Sequence, residues 1–190
     1  MKHDPLALFL SWYGDARSLP QPEAMMLATA TKDGRPSLRT VLYRPAQDGG
    51  IRFFTNYRGR KAEELAINPH AAVLFYWYPL QRQVRIEGVV SKVSAEESDE
   101  YFASRPRMSQ LAAWVSPQSL EIDDLAELDA EVVSLDATYA GKLVPRPDFW
   151  GGYRLDPDRF EFWTGREHRL HERVLYVKRD GGWDRSLIGP

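Results

Sequence analysis

Hydrophobic residues along this chain fall mostly into short runs separated by turn-forming residues, a pattern typical of antiparallel β-strands. The runs predict strands at 24–31, 37–44, 51–56, 70–80, 82–94, 150–156 and 159–165, and a hairpin at 173–188 around residues 180–182. Turns are predicted at 32–36, which contain an Asp-Gly pair, and at 47–50. Between Val84 and Ile86 the alternation is regular, and Gly88 then shifts its phase, which indicates a β-bulge.

Four segments carry helix signals. Asp4 and Pro5 supply an N-cap and a first-turn proline, and this helix is expected to run to about Tyr13 and end at Gly14. The remaining helices are predicted at 58–69, 95–106 and 122–141. The last should present one apolar face made of Leu125, Leu128, Val132, Leu135 and Tyr139.

These elements favour a mainly β, α+β fold. Short connections between successive strands favour antiparallel pairing over a parallel, doubly wound sheet. We therefore predict an antiparallel β-barrel, closed or partly closed, with helices at its sides. A chain of 190 residues without a repeat or linker is expected to form a single domain.

Composition narrows the classes of function. The formal net charge is −2, so nothing in the overall charge favours nucleic acid or an anionic membrane as a partner. The chain has no cysteine, which excludes disulfides, thiolate catalysis and zinc sites built on sulfur. The N-terminal apolar run is too short for a signal peptide or a membrane span, so we expect a soluble cytoplasmic protein.

Arginine and lysine gather beside hydroxyl, amide and aromatic residues, and this grouping is the main chemical signal of the sequence. At a predicted strand-to-helix junction, Thr55 and Asn56 precede Arg60 and Lys61. Such a junction offers free backbone N–H groups and a positive dipole end to a phosphate. The sequence has no G-x-G-x-x-G or Walker-type loop, so side chains would have to hold any nucleotide-like ligand.

Further cations lie at Arg39 and Arg44 on the second strand and within residues 101–109. A guanidinium group binds phosphate oxygens in a bidentate manner, and neighbouring hydroxyls complete the shell. A solvated surface with scattered ion pairs would explain any one of these clusters. Several of them together favour phosphate binding.

Residues 167–173 read EHRLHER, with two of the four histidines of the chain. If this segment is extended, Arg169, His171 and Arg173 share one face. A zinc ion there would lie beside two guanidinium groups without an evident third or fourth ligand, so we expect no metal. An anionic aromatic ligand suits such a face better. The alternative is a surface strand whose arginines pair with the neighbouring glutamates.

Five segments resemble the pyridoxine/pyridoxamine 5′-phosphate oxidase family. They are RTVLYR (39–44), FFTNYRGRKA (53–62), QRQVRIEG (81–88), YFASRPRMSQLAAWVSPQS (101–119) and FWGGYRLDPDRFEFWTGREHRLHERVLY (149–176). The resemblance extends from about residue 24 to the C-terminus and rests on long, ordered motifs. It implies one FMN-binding split β-barrel domain over 1–190, with a helix and lead-in at 1–23 and a catalytic core at 24–190.

The resemblance also implies a homodimer that binds FMN at the subunit interface, where residues of both chains complete each site. The implied reaction oxidises pyridoxamine or pyridoxine 5′-phosphate to pyridoxal 5′-phosphate, with dioxygen as electron acceptor and hydrogen peroxide as product. The amine substrate would also release ammonia after hydrolysis of the imine.

Individual roles follow from the same resemblance. FMN is expected to contact Arg39, Thr40, Val41, Leu42, Phe54, Thr55, Arg60, Lys61, Gln83, Gln118, Ser119, Trp163 and Arg173. Of these, Arg60 and Lys61 should bind its phosphate. The substrate is expected to contact Arg44, Tyr101, Arg105, Ser109, Arg169 and His171, the first four through its phosphate. Arg169 and His171 are the expected catalytic residues, Arg169 orienting and polarising the substrate and His171 assisting through a hydrogen bond.

The chain departs from the family pattern at two points. Arg44 stands where the family usually has lysine, so a planar fork replaces a point charge. The first predicted helix begins almost at residue 1, without the longer N-terminal arm of many members, which leaves open how the site is closed.

Two other functions are compatible with the same motifs. One is an FMN oxidase of a different flat aromatic substrate, as in phenazine biosynthesis, and Tyr101, Arg105 and Ser109 argue against it. The other is a non-catalytic protein that binds flavin or pyridoxal phosphate, and Arg169 together with His171 argues against that.

Overall fold

The computed structural model describes residues 4–46 and 49–190, and within these ranges one antiparallel sheet of nine strands dominates the fold. The strands are β1 (Ala24–Ala30), β2 (Pro36–Leu42), β3 (Arg44–Pro45), β4 (Ile51–Asn56), β5 (His70–Trp77), β6 (Arg82–Lys92), β7 (Trp150–Thr164), β8 (Glu172–Arg179) and β9 (Gly182–Leu187). The helices are α1 (Pro5–Ala16), α2 (Arg60–Ile67), α3 (Ala95–Ser104), α4 (Arg107–Val115) and α5 (Leu125–Thr138). The predicted class, a split antiparallel barrel with flanking helices, is confirmed.

The order of the strands shows how the sheet curls into a split barrel. Hydrogen-bonded neighbours follow the order β2-β1-β5-β6-β7-β4-β3, while β8 and β9 extend the sheet from β7. Strands β2 and β3 therefore lie at the two ends of this order, yet only Tyr43 separates them along the chain. The sheet must curl to satisfy both facts, and the fully buried Tyr43 lies at the closure.

An aromatic cluster fills the barrel. Phe9 of α1 packs against Tyr43, Phe75 and Trp77, with ring centroids 5.5, 5.0 and 6.5 Å away. Buried aromatic rings each remove a large apolar area from water, and their edge-to-face contacts add to that gain. Helix α1 thus contributes to the aromatic core of the barrel.

Helix α1 is longer than the sequence predicts. Asp4 caps it as expected, since its Oδ1 accepts a hydrogen bond from the backbone N–H of Leu6 at 2.9 Å. The predicted end at Gly14 is wrong, because the helix continues to Ala16, which is fully buried. Tertiary packing of this last turn outweighs the weak helix propensity of glycine.

The predicted bulge lies where the sequence places it. The register of β6 against β7 shifts between Glu87 and Gly88, and Gly88 lies opposite Pro157. Proline has no N–H to donate, and a bulge is one of the few places where a sheet tolerates it. The predicted break between 150–156 and 159–165 is therefore wrong, since β7 passes through Pro157 as one strand of 15 residues.

The helical region between β6 and β7 differs from the prediction in four respects. The segment 95–106 ends at Ser104, and α4, which was not predicted, follows it. The segment 122–141 shortens to α5, and only part of its expected apolar face is covered. Val132, Leu135 and Tyr139 pack against a cluster around Phe102, Leu111 and Trp150, whereas Leu125 is exposed.

Other differences are small. The 3₁₀ turn Tyr78–Leu80 ends the predicted strand 70–80 early, and the hairpin of β8 and β9 forms as predicted. The predicted turn at 47–50 lies partly outside the described residues. Among the described helices, none has the length and apolar character needed to cross a membrane.

Substitutions at two glycines test the close backbone approach at the bulge and the continuation of helix α1. A Cβ at Gly88 would lie 2.0 Å from the carbonyl oxygen of Asp156, so Gly88→Ala should destabilise the protein by at least about 2 kcal/mol. A Cβ at Gly14 meets nothing within 4 Å, and Gly14→Ala should stabilise helix α1 by about 0.5–1 kcal/mol. Urea denaturation of both variants measures the two changes. Equal stability of Gly88→Ala and the wild type would contradict the close backbone approach at the bulge.

Candidate active site

A cavity of about 720 Å³ lies where the barrel closes, between strands β2 and β4 and the helices α2, α3 and α4. Most residues expected to bind FMN or the substrate line it. These are Arg39, Thr40, Val41, Leu42, Arg44, Phe54, Thr55, Arg60, Lys61, Tyr101, Arg105, Ser109, Gln118 and Ser119. Segments far apart in the sequence therefore meet around one cavity.

The lining of this cavity is strongly cationic. Five of its side chains carry positive charge, namely Arg39, Arg44, Arg60, Lys61 and Arg105, and none of its described lining residues is Asp or Glu. The whole chain has a net charge of −2, so these cations are concentrated locally rather than spread by composition. A concave site with one sign of charge attracts an anionic ligand.

Lys61 lies at the centre of a compact polar network at the start of α2. Its Nζ donates hydrogen bonds to Thr55 Oγ1 at 3.0 Å and to Gln118 Oε1 at 2.6 Å. Thr55 Oγ1 in turn donates to Gln118 Oε1 at 2.9 Å. A Cβ at Gly59 would lie 2.7 Å from that Oε1, so a larger residue at the N-cap of α2 would displace the Gln118 amide from Lys61.

The ammonium of Lys61 is buried without a carboxylate partner among the described residues. Burial, with a smaller contribution from nearby Arg39, lowers the pKa of Lys61 to about 8. A charge that is destabilised in this way gains most from a bound anion, because the anion restores the stability that desolvation removed. Lys61 is therefore suited to bind a phosphate.

A second cationic group in the same cavity is built around Tyr101. Arg44 Nε donates to Tyr101 Oη at 2.6 Å, and its Nη1 donates to the backbone carbonyl of Tyr43 at 3.1 Å. The ring of Tyr101 stacks on Phe54 with centroids 4.0 Å apart. These contacts fix the Arg44 fork, so the arginine in place of the usual lysine has a defined orientation.

Arg105 completes this second group. Its guanidinium lies 4.6 Å from the ring centre of Trp150, and burial lowers the pKa of Arg105. Its Nη1 is buried and finds no hydrogen-bond acceptor among the described residues. A buried donor without an acceptor is costly unless a ligand supplies one, so this atom fits an anionic group in the cavity.

The remaining expected residues lie elsewhere. Gln83, Trp163 and Arg173 line a second cavity of about 220 Å³ together with Leu74, Arg85, Glu161 and Pro190. The two cavities share no described lining residue. Within one chain, the residues expected to bind FMN thus form two separate groups.

The segment 167–171 is not extended. Residues Glu167–Arg169 form a 3₁₀ turn in which His168 and Arg169 have positive φ angles of 58° and 60°, and β8 begins only at Glu172. Arg169, His171 and Arg173 therefore do not share one strand face. Two successive left-handed residues other than glycine cost about 1–2 kcal/mol each, so this turn holds a strained conformation.

His171 and Arg173 have partners that the sequence did not indicate. The imidazole of His171 lies 4.7 Å from the ring centre of Trp163, and its Nδ1 accepts a hydrogen bond from the backbone N–H of Arg166 at 3.2 Å. In the neutral imidazole the proton is therefore on Nε2. Arg173 pairs with buried Glu161 at 2.9 Å rather than with Glu167 or Glu172, while Arg169 is exposed.

Two buried glutamates were missed by sequence reasoning. Glu64 binds Arg39 and Arg60, and Glu161 binds Arg85 and Arg173. For Glu64 a signal was present, since Arg60 and Glu64 are four residues apart on a helix, the spacing of an ion pair. Glu161 stands between two buried phenylalanines in a strand, and its partners are distant in sequence.

Among residues 4–46 and 49–190, no group of three or more histidine, aspartate or glutamate side chains is arranged to hold a metal ion. The two cavities instead offer guanidinium, ammonium, hydroxyl and amide donors beside aromatic rings. A split barrel with such donors and rings has the features of a protein that binds a phosphorylated aromatic ligand.

Comparison with known proteins specifies the class. The sequence model of the pyridoxamine 5′-phosphate oxidase family matches residues 16–139, and that of the pyridoxine 5′-phosphate oxidase C-terminal dimerisation region matches residues 150–190. The pyridoxine/pyridoxamine 5′-phosphate oxidase of Rubrobacter xylanophilus is 51% identical over 98% of this chain and 87% of its own length. That of Burkholderia vietnamiensis is 50% identical over 98% of this chain and 89% of its own.

Two solved structures have the same fold as this chain. PhzG from Burkholderia lata, in complex with tetrahydrophenazine-1-carboxylic acid, superposes with a TM-score of 0.92 and 33% identity, covering 98% of this chain and 93% of its own. A pyridoxamine 5′-phosphate oxidase-related, FMN binding protein from Nostoc punctiforme shares the fold over the full length of both chains, with a TM-score of 0.80 and 21% identity.

The chain therefore belongs to the pyridoxamine 5′-phosphate oxidase family. Its cofactor is FMN, and it is an oxidoreductase. The match of residues 150–190 to the dimerisation region supports a homodimer. The donor set of the large cavity fits this cofactor, because the buried ammonium of Lys61, with a lowered pKa and no carboxylate partner among the described residues, calls for phosphate oxygens.

The pKa of Lys61 yields a prediction for cofactor binding. Below about pH 8 its ammonium is already charged, so FMN affinity should vary little. Above its pKa of about 8, FMN must bind together with a proton, and the dissociation constant should rise by about tenfold per pH unit. Titration of the apoprotein with FMN from about pH 7 to about pH 10, followed by flavin fluorescence, measures this dependence.

Lys61→Arg is the matched control, since arginine keeps its charge throughout this range. Its FMN affinity should be independent of pH between the same limits. A wild-type affinity that stays constant through pH 10 would contradict a role of the Lys61 ammonium in anion binding.

Proposed function

We propose that this protein is an FMN-dependent oxidase of pyridoxamine 5′-phosphate and pyridoxine 5′-phosphate, producing pyridoxal 5′-phosphate and hydrogen peroxide. The observation that carries the proposal is the single cavity with five cationic side chains in two groups and no acidic residue among its described lining. Two phosphate monoesters, that of the cofactor and that of the substrate, account for both groups. A substrate without a phosphate would leave one group unused.

The first group is assigned to the cofactor. Arg60 and Lys61 would bind the FMN phosphate at the start of α2, where backbone N–H groups add to their charge. Arg39 of β2 belongs to the same cationic group and would add to the phosphate site, whereas the residues from Thr40 to Leu42, with Phe54 and Thr55 of β4, would contact the remainder of the flavin. When bound, FMN supplies the two-electron chemistry that accepts a hydride from the exocyclic carbon of the substrate and passes the electrons to dioxygen.

The second group is assigned to the phosphate of the substrate. Arg44, Tyr101, Arg105 and Ser109 line the same cavity, and the unpaired Nη1 of Arg105 offers a donor that a phosphate oxygen satisfies. Arg44 is already fixed by its hydrogen bonds to Tyr101 and to the backbone. Binding therefore requires little loss of side-chain freedom, which favours affinity.

Arg169 and His171 are assigned to the reacting end of the substrate. Arg169 would orient and polarise the alcohol or amine. His171, whose Nδ1 accepts from the backbone N–H of Arg166, would assist through a hydrogen bond that its Nε2–H donates to the substrate. Correct placement of the donor carbon can by itself lower the activation free energy by several kcal/mol.

The two separate groups of flavin residues support a shared site. Arg39 to Lys61 and Gln118 to Ser119 belong to the large cavity, whereas Gln83, Trp163 and Arg173 line the small one. In a two-fold symmetric dimer, the small cavity of one protomer can face the large cavity of its partner, and each site is then completed by both chains. Pro190 and Arg173 of the small cavity fall in the region that matches the family's dimerisation region.

The substrate assignment predicts a simple assay. The purified protein should contain bound flavin and convert pyridoxamine 5′-phosphate in air to pyridoxal 5′-phosphate, with about one peroxide per product. Unphosphorylated pyridoxamine should react at least about a hundredfold less efficiently, since the charged hydrogen bonds to phosphate are lost. Product absorbance and peroxide release measure both reactions.

The same assay separates the alternatives. The likeness to PhzG makes a phenazine precursor the rival substrate. Turnover of tetrahydrophenazine-1-carboxylic acid without turnover of pyridoxamine 5′-phosphate would overturn the proposal in favour of that reaction. A flavin-containing protein that oxidises neither would indicate a binding function.

Mixed dimers test the shared site. Arg169→Leu should retain FMN but turn over about a hundredfold more slowly, and Lys61→Ala should lose FMN on purification. If each site takes Lys61 from one protomer and Arg169 from the other, a heterodimer of the two variants contains one intact site. Co-expression with random assortment should then restore about a quarter of the wild-type activity.

In the control, a chain that carries both substitutions is co-expressed with the wild-type chain. Wild-type homodimers then remain active, whether each site takes its residues from one protomer or from both. Mixed dimers of the two single variants that stay inactive would show that each site takes both residues from the same protomer. Full wild-type turnover by Arg169→Leu alone would refute the role of Arg169.

A further inference from the structure

Behind the cations of the large cavity lies a carboxylate that the proposed reaction does not use. Glu64 of α2 is buried, at 5% exposure, and both of its carboxylate oxygens are occupied. Oε1 accepts a hydrogen bond from Arg60 Nε at 2.9 Å. Oε2 accepts from Arg39 Nη2 at 3.3 Å, from Ser37 Oγ at 2.5 Å and from Thr29 Oγ1.

The protonation state of Glu64 is well defined. Burial alone would raise the pKa of this carboxyl, but hydrogen bonds from Ser37, Thr29 and Arg60 overcome burial and lower it to about 2. Glu64 is therefore ionised wherever the protein is folded and active. Its pair with Arg39 crosses from helix α2 to strand β2, whereas its pair with Arg60 stays within α2.

Arg39 depends on this carboxylate. Burial lowers the pKa of Arg39, and the charge of Glu64 is the main opposing influence. The other Arg39 contacts are to neutral acceptors, the backbone carbonyl of Leu27 at 3.1 Å and the hydroxyls of Thr29 and Ser37. Without Glu64, nothing among the described residues would neutralise a guanidinium held beside the cavity.

We propose that Glu64 is a positioning residue that holds the guanidinium groups of Arg39 and Arg60 in the orientation that binds the FMN phosphate. This inference rests on the proposed function, since it takes the Arg39, Arg60 and Lys61 group as the phosphate site. Glu64 does not contact the ligand in this scheme. It acts through the two arginines, with Thr29 and Ser37 fixing its own position.

Two effects of Glu64 on an anion oppose each other. Its negative charge repels a phosphate, so counting charges alone predicts that Glu64→Gln binds FMN more tightly. Its hydrogen bonds hold two flexible side chains in place, and ordering such chains on binding is unfavourable. Because two guanidinium groups and two hydroxyls surround the carboxylate, little of its charge acts on the cavity, and the positioning effect dominates.

The test compares FMN with riboflavin, which has the same ring system but no phosphate, on the full-length apoprotein. The wild type should bind FMN much more tightly than riboflavin. Glu64→Gln should weaken FMN binding by about tenfold while leaving riboflavin affinity within about twofold of the wild type. Flavin fluorescence titration gives both dissociation constants.

Glu63→Gln is the matched control, because it removes the same charge from the adjacent, exposed position of α2. It should leave both affinities unchanged. An equal loss of FMN and riboflavin affinity in Glu64→Gln would identify a general structural defect and overturn the proposal, as would tighter FMN binding. A wild type that binds both flavins equally would refute the phosphate site itself, and with it the proposed function.

Should Glu64→Gln fail to fold, Ser37→Ala is a milder change, since it removes one donor to Glu64 and one acceptor of Arg39. FMN affinity alone should then fall, by about threefold to tenfold. An unchanged ratio of riboflavin to FMN dissociation constants in this variant would overturn the proposal.

Discussion

Closure of the barrel at Tyr43 is the constraint on which the site depends, because it brings together strands from the two ends of the sheet. Strand β2 carries Arg39 to Leu42 and β3 carries Arg44, while β4 contributes Phe54 and Thr55. The aromatic cluster around Phe9 and Tyr43 holds this closure. The hydrophobic interior of the barrel and the cationic cavity are thus two sides of the same strands.

The two cavities hold their arginine side chains in the same way. Each cavity has a buried glutamate that holds two arginines, Glu64 with Arg39 and Arg60 at the large cavity and Glu161 with Arg85 and Arg173 at the small one. An arginine near an apolar interior needs a partner, and a rigid carboxylate supplies it while fixing the direction of the fork. Lys61 and Arg105 lack a carboxylate partner among the described residues, and a ligand has the most to offer at these two positions.

Local patterns account for what the sequence predicted well. The strands, the bulge at Gly88, the cap at Asp4 and the final hairpin depend on neighbouring residues. The long motifs contain most of the residues that line the large cavity. The failures arise from tertiary contacts. Helix α1 passes Gly14 because Ala16 is buried, β7 passes Pro157 because this proline lies at the bulge opposite Gly88, and 167–171 turns instead of extending. The partners of the buried glutamates lie on other elements and leave little local signal.

Strand β2 has no fully buried residue, although it forms part of the barrel and of the site, and Leu38 is 67% exposed. If the partner subunit covered the exposed side of this strand in the proposed homodimer, β2 would serve ligand binding and subunit contact at once. Thermodynamic linkage then requires reciprocity: whatever factor assembly adds to flavin affinity, flavin adds to assembly. Dilution of the holoprotein would promote release of its cofactor, and cellular supply of flavin would regulate how much of the chain is paired.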